Sequence, residues 1–365
     1  MAAFSGQLNA NEIFASIYNM IISQRVNADN IKSGFSSLVD RARVDGGLFG
    51  DTKLYYDTDV LKSHAWGGDT EASSLLALDR PEDPECQAIE LNVFRQIRVT
   101  VDYYLSKRAW SNEGAFASFT SVTLGWLRDT KKVYDQTTYN AFIGTHKSPV
   151  QADVQVDLDP IATPTNPAEV ESQNRIRAQA IGEALANLAI EMRDVSRAFN
   201  DYDHLKSYDE EDIMIIFNSK FVNEIKYLDL PTIFHKDGIV KNIEKDLLPS
   251  KYFGTTVASA HTVALGEDYR AAYEQEITVG GVQYHLFAGE QFPVGAIVGV
   301  GDGYEVDPDV IAVVLTELPP YMSAFEVGTS FFNPRSLTEN HYLTFGHNSL
   351  DHLYGKPFVR VVVKP

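Results

Sequence analysis

The sequence predicts an α+β chain. Residues 89–105 alternate apolar and polar side chains with period two, far longer than an ordinary strand of about five or six residues. Two long amphipathic stretches, 111–142 and 166–199, carry the three-and-four spacing of helices. From about residue 250 onward, short apolar runs are separated by Gly and Pro, which reads as mostly β.

In chain order, residues 9–23 place Phe14, Ile17, Tyr18 and Ile21 on one helical face. Asn30 is the expected cap of a second short helix with Ile31, Phe35, Leu38 and Ala42 on its stripe. Gly46, Gly47 and Gly50 then break the pattern. Neither helix is long enough to be stable alone, so residues 1–50 read as an arm that needs a partner surface.

In 89–105 the odd row is Ile89, Leu91, Val93, Arg95, Ile97, Val99, Val101, Tyr103 and Leu105, with polar residues between and Phe94 as the outward exception. At about 3.3 Å per residue this strand spans roughly 55 Å. Residues 53–61 supply an upstream partner, and residues 63–86, from Trp66 past Pro81 and Pro84 to Cys86, an irregular tip. Residues 51–106 therefore read as one long hairpin. A two-stranded ribbon of this kind is barely stable alone and leaves an apolar face uncovered. The alternative is a bent strand within a large sandwich.

Ser111 starts the next helix, with Phe116, Phe119, Val122, Trp126 and Val133 as its stripe and Gly144 as the expected left-handed stop. A polar strip, 149–164, follows. Asn166, Pro167 and Glu169 mark a strong helix start. Ile181, Leu185, Leu188, Met192, Val195 and Phe199 form a heptad-like seam, too short for a free coiled coil. The apolar run at 212–218 predicts a buried strand, followed by a short helix over 219–228 showing Phe221, Ile225 and Leu228. Residues 276–287 flank Gly280 and Gly281 with alternating residues, a hairpin signal. Further strands are expected at 294–300, 310–316 and 358–363.

Composition bounds the function. With 44% hydrophobic and 22% charged residues, the 365-residue chain is neither disordered nor collagen-like. The single thiol, Cys86, can form no internal disulfide, which fits synthesis in a reducing compartment. Thirty-one basic against fifty acidic residues give a net charge of -19, which repels rather than attracts a polyanion. No signal peptide and no membrane-length apolar run is present in the sequence.

The catalytic motifs are missing. Gly299, Gly301 and Gly303 lack dinucleotide spacing and read as a turn, and there is no phosphate loop, zinc-protease helix or nucleophile elbow. Cys86 reads as a surface thiol at a loop tip. His341, His347 and His352, with Glu339 and Asp351 beside them, are the best case for an active site, because imidazoles and carboxylates hold zinc or iron. Their spacing fits no metal motif, and they read as polar loop histidines. The acidic runs 209–212 and 81–85 lack calcium-loop spacing and read as solvated loops. Neither a catalytic residue, a cofactor nor a metal is expected.

The order of parts, together with the buried strand and helix at 212–225 and the closing strands at 310–315, 335–345 and 356–363, resembles the major capsid protein of tailed bacteriophages, the Hong Kong 97-type fold. The resemblance covers essentially the whole chain. It implies an N-terminal arm at 1–50, an extended hairpin or E-loop at 51–106, and a P-domain with a long spine helix at 107–165 and 305–365. A mixed α/β A-domain follows at 166–304. It also implies a non-enzymatic subunit that self-assembles through hexamers and pentamers into an icosahedral head shell. DNA is enclosed in that shell without specific binding. The implied partners are further copies of the chain, a separate scaffolding protein, a portal and a decoration protein, with no membrane. The implied location is the virion, assembled in the host cytoplasm.

On that reading the ribbon lies across a neighbouring subunit, which covers Ile89, Leu91, Val93, Ile97, Val99 and Val101, with Trp66 as an anchor. Some members of the resembled family weld neighbours through an E-loop lysine. Residues 63–86 contain no Lys, and Lys53 and Lys62 sit at the base, so the expected shell is not crosslinked. The start at Met1 without a charged helical leader speaks against an internal scaffolding segment. Three alternatives stay open: an encapsulin-like nanocompartment shell, a metal-dependent enzyme using His341, His347 and His352, and a tail or other virion protein.

Overall fold

The computed structural model describes residues 37–46, 50–63, 78, 80–102, 113–158, 167–226 and 243–364. The expected helix at 9–23, Asn30, Trp66 and the end of the long strand past Asp102 lie outside them. The chain divides into two compact units, each assembled from separated segments.

The first unit comprises Met1–Asp51, Leu91–Thr137 and Tyr321–Ser349. Helix α1 (Ser37–Ala42) leads into strand β1 (Arg43–Asp45). Strand β3 (Glu85–Asp102) enters this unit at Leu91. Helix α2 (Glu113–Thr145) runs through it to Thr137, and strands β15 (Tyr321–Asn333) and β16 (Thr338–Asn348) complete it. The sheet order is β1, β15, β16, β3, with β1 parallel to β15 and the other pairs antiparallel.

The alternation expected along β3 is present: Leu91 and Val101 are buried while Asn92, Gln96, Arg98 and Thr100 are exposed. What covers the odd row differs from expectation. From Leu91 to Asp102 the strand pairs with β16, not with the upstream segment. Leu91 is 2% and Val101 6% exposed, so this chain covers them itself rather than a neighbour. Val93, Ile97 and Val99 remain half-exposed. The pairing reaches across roughly 240 residues of sequence, beyond what a local hairpin signal can indicate.

The second unit comprises Thr52–Glu90, Thr138–Pro320 and Leu350–Pro365. Strand β2 (Thr52–Asp57) pairs antiparallel with the first residues of β3, Glu85–Glu90, so among the described residues the expected hairpin is paired at its base. Cys86 sits there on the strand, opposite Tyr56, rather than at a loop tip. Ile89, on the covered side of this base, is 6% exposed and is likewise buried within its own chain. The Lys206 ammonium pairs with Asp57, and Arg197 pairs with Asp59 at 2.9 Å. The Leu205 N–H, with those of Val60 and the Arg197 side chain, holds the Asp59 carboxyl down at about 2.

The main core of this unit is a five-stranded sheet. Its members are β4 (Val154–Val156), β5 (Met214–Asn218), β6 (Glu244–Leu248), β14 (Val310–Leu315) and β17 (Phe358–Val363), ordered β4, β17, β14, β5, β6. The runs at 214–218 and 310–315 are buried at every position, which is why they lack alternation. Helices α3 (Pro167–Arg193) and α4 (Ser219–Lys226) contribute to the same core, with Ile181, Leu185, Leu188, Met192 and Phe221 inside it. Val195, past the end of α3, is exposed. The parallel-paired strands β4, in the segment read as a polar strip, and β6, where no element was expected, are additions to the sequence reading. The sheet also draws strands from both sides of the boundaries expected at 165/166 and 304/305.

Between β6 and β14 lie short strands. These are β7 (Gly254–Thr256), β8 (His261–Thr262), β9 (Tyr269–Ala271), β10 (Gln275–Val279), β11 (Val282–Leu286), β12 (Ile297–Val298) and β13 (Gly303–Val306). The β10–β11 hairpin turns through Gly280 and Gly281, both at positive φ, as expected. The strand expected at 294–300 shrinks to β12, and Gly301, at positive φ, lies in a turn.

Helix α2 corrects two further expectations. Of its expected stripe, the side chains of Phe116, Phe119 and Val122 lie outside those described and Trp126 is half-exposed; past it the buried side is Leu127, Lys131, Tyr134 and Asp135, then Tyr139 and Ile143. Two of these are charged, which hides the face from an apolar stripe. Gly144 does not end the helix, which runs to Thr145. A Cβ on Gly144 would overlap the Tyr252 carbonyl, so the glycine serves a close backbone approach.

Candidate functional sites

The described residues offer two buried polar centres and several exposed apolar rows, and each forms within one unit. In the first unit, Asp135 of α2 is the hub. Its carboxylate accepts hydrogen bonds from Lys131 Nζ at 2.7 Å and from the Tyr321 hydroxyl at 2.7 Å. Arg43 Nη2 approaches at 3.4 Å. Lys131 and Asp135 are spaced i,i+4 on one helical face and are both buried. Burial, reinforced by the Asp135 charge, pushes the Tyr321 phenol far up, so it remains a donor.

Beside Asp135 in sequence, the Tyr134 hydroxyl and His347 Nε2 are 2.6 Å apart, and His347 Nδ1 lies 2.7 Å from the Asn348 carbonyl. A carbonyl only accepts, so Nδ1 carries the proton and Nε2 accepts from Tyr134. Burial pushes the His347 ring below its ordinary value; Asp135 opposes this shift, while Arg95 and Lys131 favour it. The sign of the resulting pH dependence is fixed. The unfolded ring takes up a proton near pH ~6.5 and the folded one only at lower pH, so this contribution is present above that value and lost on acidification. The unfolding free energy, measured by denaturant at about pH 7.5 and about pH 5.5, is expected to change less with pH in His347→Gln than in the parent. An identical pH dependence in the two would place the proton uptake elsewhere.

In the second unit, His146 follows the end of α2, its N–H bonding to the Phe142 carbonyl at 2.9 Å. His146 Nε2 lies 2.8 Å from His352 Nδ1, and His352 Nε2 lies 2.9 Å from Asp201 Oδ2. Asp351 Oδ1 is 3.6 Å from His146 Nε2 and 3.3 Å from His352 Nδ1. Phe142 and Phe358 flank the His146 ring, with centroids 4.8 and 5.1 Å away. Burial, then the charge on His352, holds His146 down at about 4. Burial alone would lower His352 too, but Asp201 and Asp351 outweigh it and hold the ring up at about 9.

Two of the three histidines named from sequence are therefore not loop residues: His341 and His347 are buried on β16 in the first unit. His352 lies in the loop between β16 and β17, as expected, but is buried, in the second unit. They form no common site among the described residues. His352 has different neighbours, His146 and Asp201, which the sequence analysis missed. They are separated from His352 by 206 and 151 positions, and no local spacing announces them.

Exposed apolar side chains cluster on the base of the β2–β3 hairpin. Leu54 (51%) and Tyr56 (64%) share the outer face with their cross-strand partners Ala88 and Cys86, all exposed. This is the face opposite Ile89, whereas the sequence reading placed the uncovered side on the Ile89 row. Further exposed apolar residues are Phe331 and Phe332 on β15, and Val282 and Tyr284 on β11. No helix among the described residues is long and apolar enough to cross a membrane.

Comparison with known proteins gives these surfaces a context. A family model described as Phi29-like phage major capsid protein matches residues 2–349. No curated protein matches the chain. Among solved structures, the chain is similar to one in the capsid structure of Staphylococcus phage Andhra, with a TM-score of 0.56 at 10% identity over 92% of this chain and 86% of that one. It is also similar to a chain in the structure of head fiber and inner core protein gp22 of native bacteriophage P68. There the TM-score is 0.52 at 10% identity, covering 86% of this chain and 82% of that one. At such identities the likeness is one of fold.

Proposed function

Because this chain belongs to the Phi29-like phage major capsid protein family, it is a structural subunit of the phage head shell, and we propose here how its parts serve that shell. The match over residues 2–349 carries the conclusion. Neither the nanocompartment nor the enzyme alternative is favoured.

We assign residues 1–50 as the N-terminal arm and 51–106 as the E-loop. The P-domain comprises 107–165, with the spine helix, and 305–365; the A-domain is 166–304. The 33-residue helix α2 suits a spine, at about 50 Å for its length. Strands β14 and β17 lie in one sheet with β5, which we read as a framework common to the A- and P-domains. The subunits pack as hexamers and pentamers, assembled in the host cytoplasm with a scaffolding protein, portal and decoration protein. The acidic wall encloses DNA without binding it specifically.

The outer face of the hairpin base, Leu54 and Tyr56, packs on a second copy. Val93, Ile97, Val99 and Trp66 add to subunit contacts. Apolar patches of this kind on a shell subunit are interaction surfaces. Electron microscopy of the purified full chain is expected to show capsomer rings or closed shells. The double substitution Leu54→Lys, Tyr56→Lys is expected to leave a folded chain that no longer assembles. A parent chain that stays a lone monomer with the scaffolding protein present would overturn the assembly scheme. Mature particles are expected to run as single chains on denaturing gels, since the only E-loop lysines are Lys53 and Lys62; a ladder of covalent multimers would contradict this.

A further inference from the structure

Three atoms at the end of α2 and before β17 form a compact triangle: His146 Nε2, His352 Nδ1 and Asp351 Oδ1. Its edges are 2.8, 3.3 and 3.6 Å. The ligand atoms of a tetrahedral ion with bonds of about 2.0–2.2 Å stand about 3.4 Å apart, so the triangle is close to one face of such a tetrahedron. A hydrogen bond between the two rings accounts for one edge. Asp351 Oδ1, which also accepts from the His352 backbone N–H at 2.9 Å, is held facing both nitrogens.

The surroundings match those of a metal centre. A ligating histidine ordinarily has its second nitrogen fixed by a carboxylate, and His352 Nε2 is so held by Asp201 at 2.9 Å. Asp201 is itself held by Ser148 Oγ and Gln151 Nε2, both at 2.8 Å. The other oxygen of Asp351 accepts from the Tyr354 hydroxyl at 2.6 Å. Phe142 and Phe358 form an apolar wall beside the rings. The Asp351 side chain is 39% and the His146 side chain 21% exposed, which leaves a path for the ion and room for a water as fourth ligand.

We propose that His146, His352 and Asp351 bind one divalent transition-metal ion of the zinc class, as a structural staple. Two imidazoles and one carboxylate suit such an ion better than magnesium or calcium, which take all-oxygen sets. The ion replaces the proton lying between the two rings, which passes to solvent. It ties the end of α2 to the turn before β17, across 206 positions of sequence.

The test uses the full chain, stripped with a chelator and titrated with Zn²⁺ by calorimetry and with Co²⁺ by visible absorption. One saturable equivalent, a tetrahedral Co²⁺ spectrum and a zinc-dependent rise in thermal midpoint are expected, with no such response to Mg²⁺. Asp201→Asn is expected to weaken binding about 10–100-fold while keeping the spectrum. Asp351→Asn and His146→Gln are expected to lose the tetrahedral spectrum and the thermal response. Asp351 is partly exposed, so its variant tests the site even where His146→Gln does not fold. Absence of a saturable equivalent in the parent overturns the proposal. So does zinc binding that Asp351→Asn leaves unchanged, which would place the ion at other histidines such as His261 or His285. Neither result bears on membership of the capsid family.

Discussion

Removing the Asp135 carboxylate, as in Asp135→Ala, is expected to cost about 3–5 kcal/mol of stability, because it takes the anion away from a buried ammonium. Lys131 and Asp135 have side chains only 6% and 3% exposed. The Tyr321 hydroxyl loses its acceptor in the same substitution. Lys131→Met is expected to cost less, since the carboxylate keeps Tyr321 and Arg43 and the methionine fills the space with apolar atoms. Denaturant unfolding of the two variants decides it. Equal losses, or a smaller loss in Asp135→Ala, would mean that the carboxylate is not the hub.

Gly144→Ala is the second large effect, expected at about 1–3 kcal/mol destabilising. Intrinsic propensity alone predicts the reverse, since alanine in a helix interior gains about 1 kcal/mol over glycine. The added methyl would overlap the Tyr252 carbonyl, which is backbone and cannot rotate away. Gly125, in the same helix, has nothing within 4 Å of where its Cβ would stand. Gly125→Ala is therefore expected to stabilise by about 0.5–1 kcal/mol. Opposite signs from one substitution type in one helix separate packing from propensity. A stabilising Gly144→Ala would show that the backbone approach at Tyr252 relaxes at no cost.

Features set by local chemistry were legible in the sequence. The period-two row of β3, the Pro167 start of α3, the seam from Ile181 to Met192 and the Gly280–Gly281 turn each follow from neighbouring residues alone. Long-range pairing was not legible. The sequence presents Ile89–Val101 as an apolar row with no cover, and the folded chain supplies part of that cover from near its other end, where Met322 of β15 packs with Leu91. The premise that this row must borrow a neighbour was therefore wrong for Ile89, Leu91 and Val101, although the capsid assignment it suggested is correct. The topological order of arm, long strand, long helix and β-rich end carried that assignment.

The polar centres were hidden for a related reason. Lys131 and Asp135 carry no local sign of burial, because charged i,i+4 pairs are common on helix surfaces. Only the fold reveals that Tyr321 and Arg43 close over them. His352 and Asp351 stood out by residue type. Their partners His146 and Asp201 did not, since each lies in a separate stretch without a motif.

The pairing of β3 with β16 has a consequence for the timing of synthesis. At about 5–20 residues per second, roughly 10–50 s pass between the ribosome's completing β3 and its reaching residue 338. Throughout that interval β3 lacks its paired strand, and for most of it Leu91 lacks Met322, with which it packs. A nascent or prematurely ended polypeptide thus has an incomplete first unit. Sequence distance thus delays completion of the first unit until nearly all 365 residues have been joined.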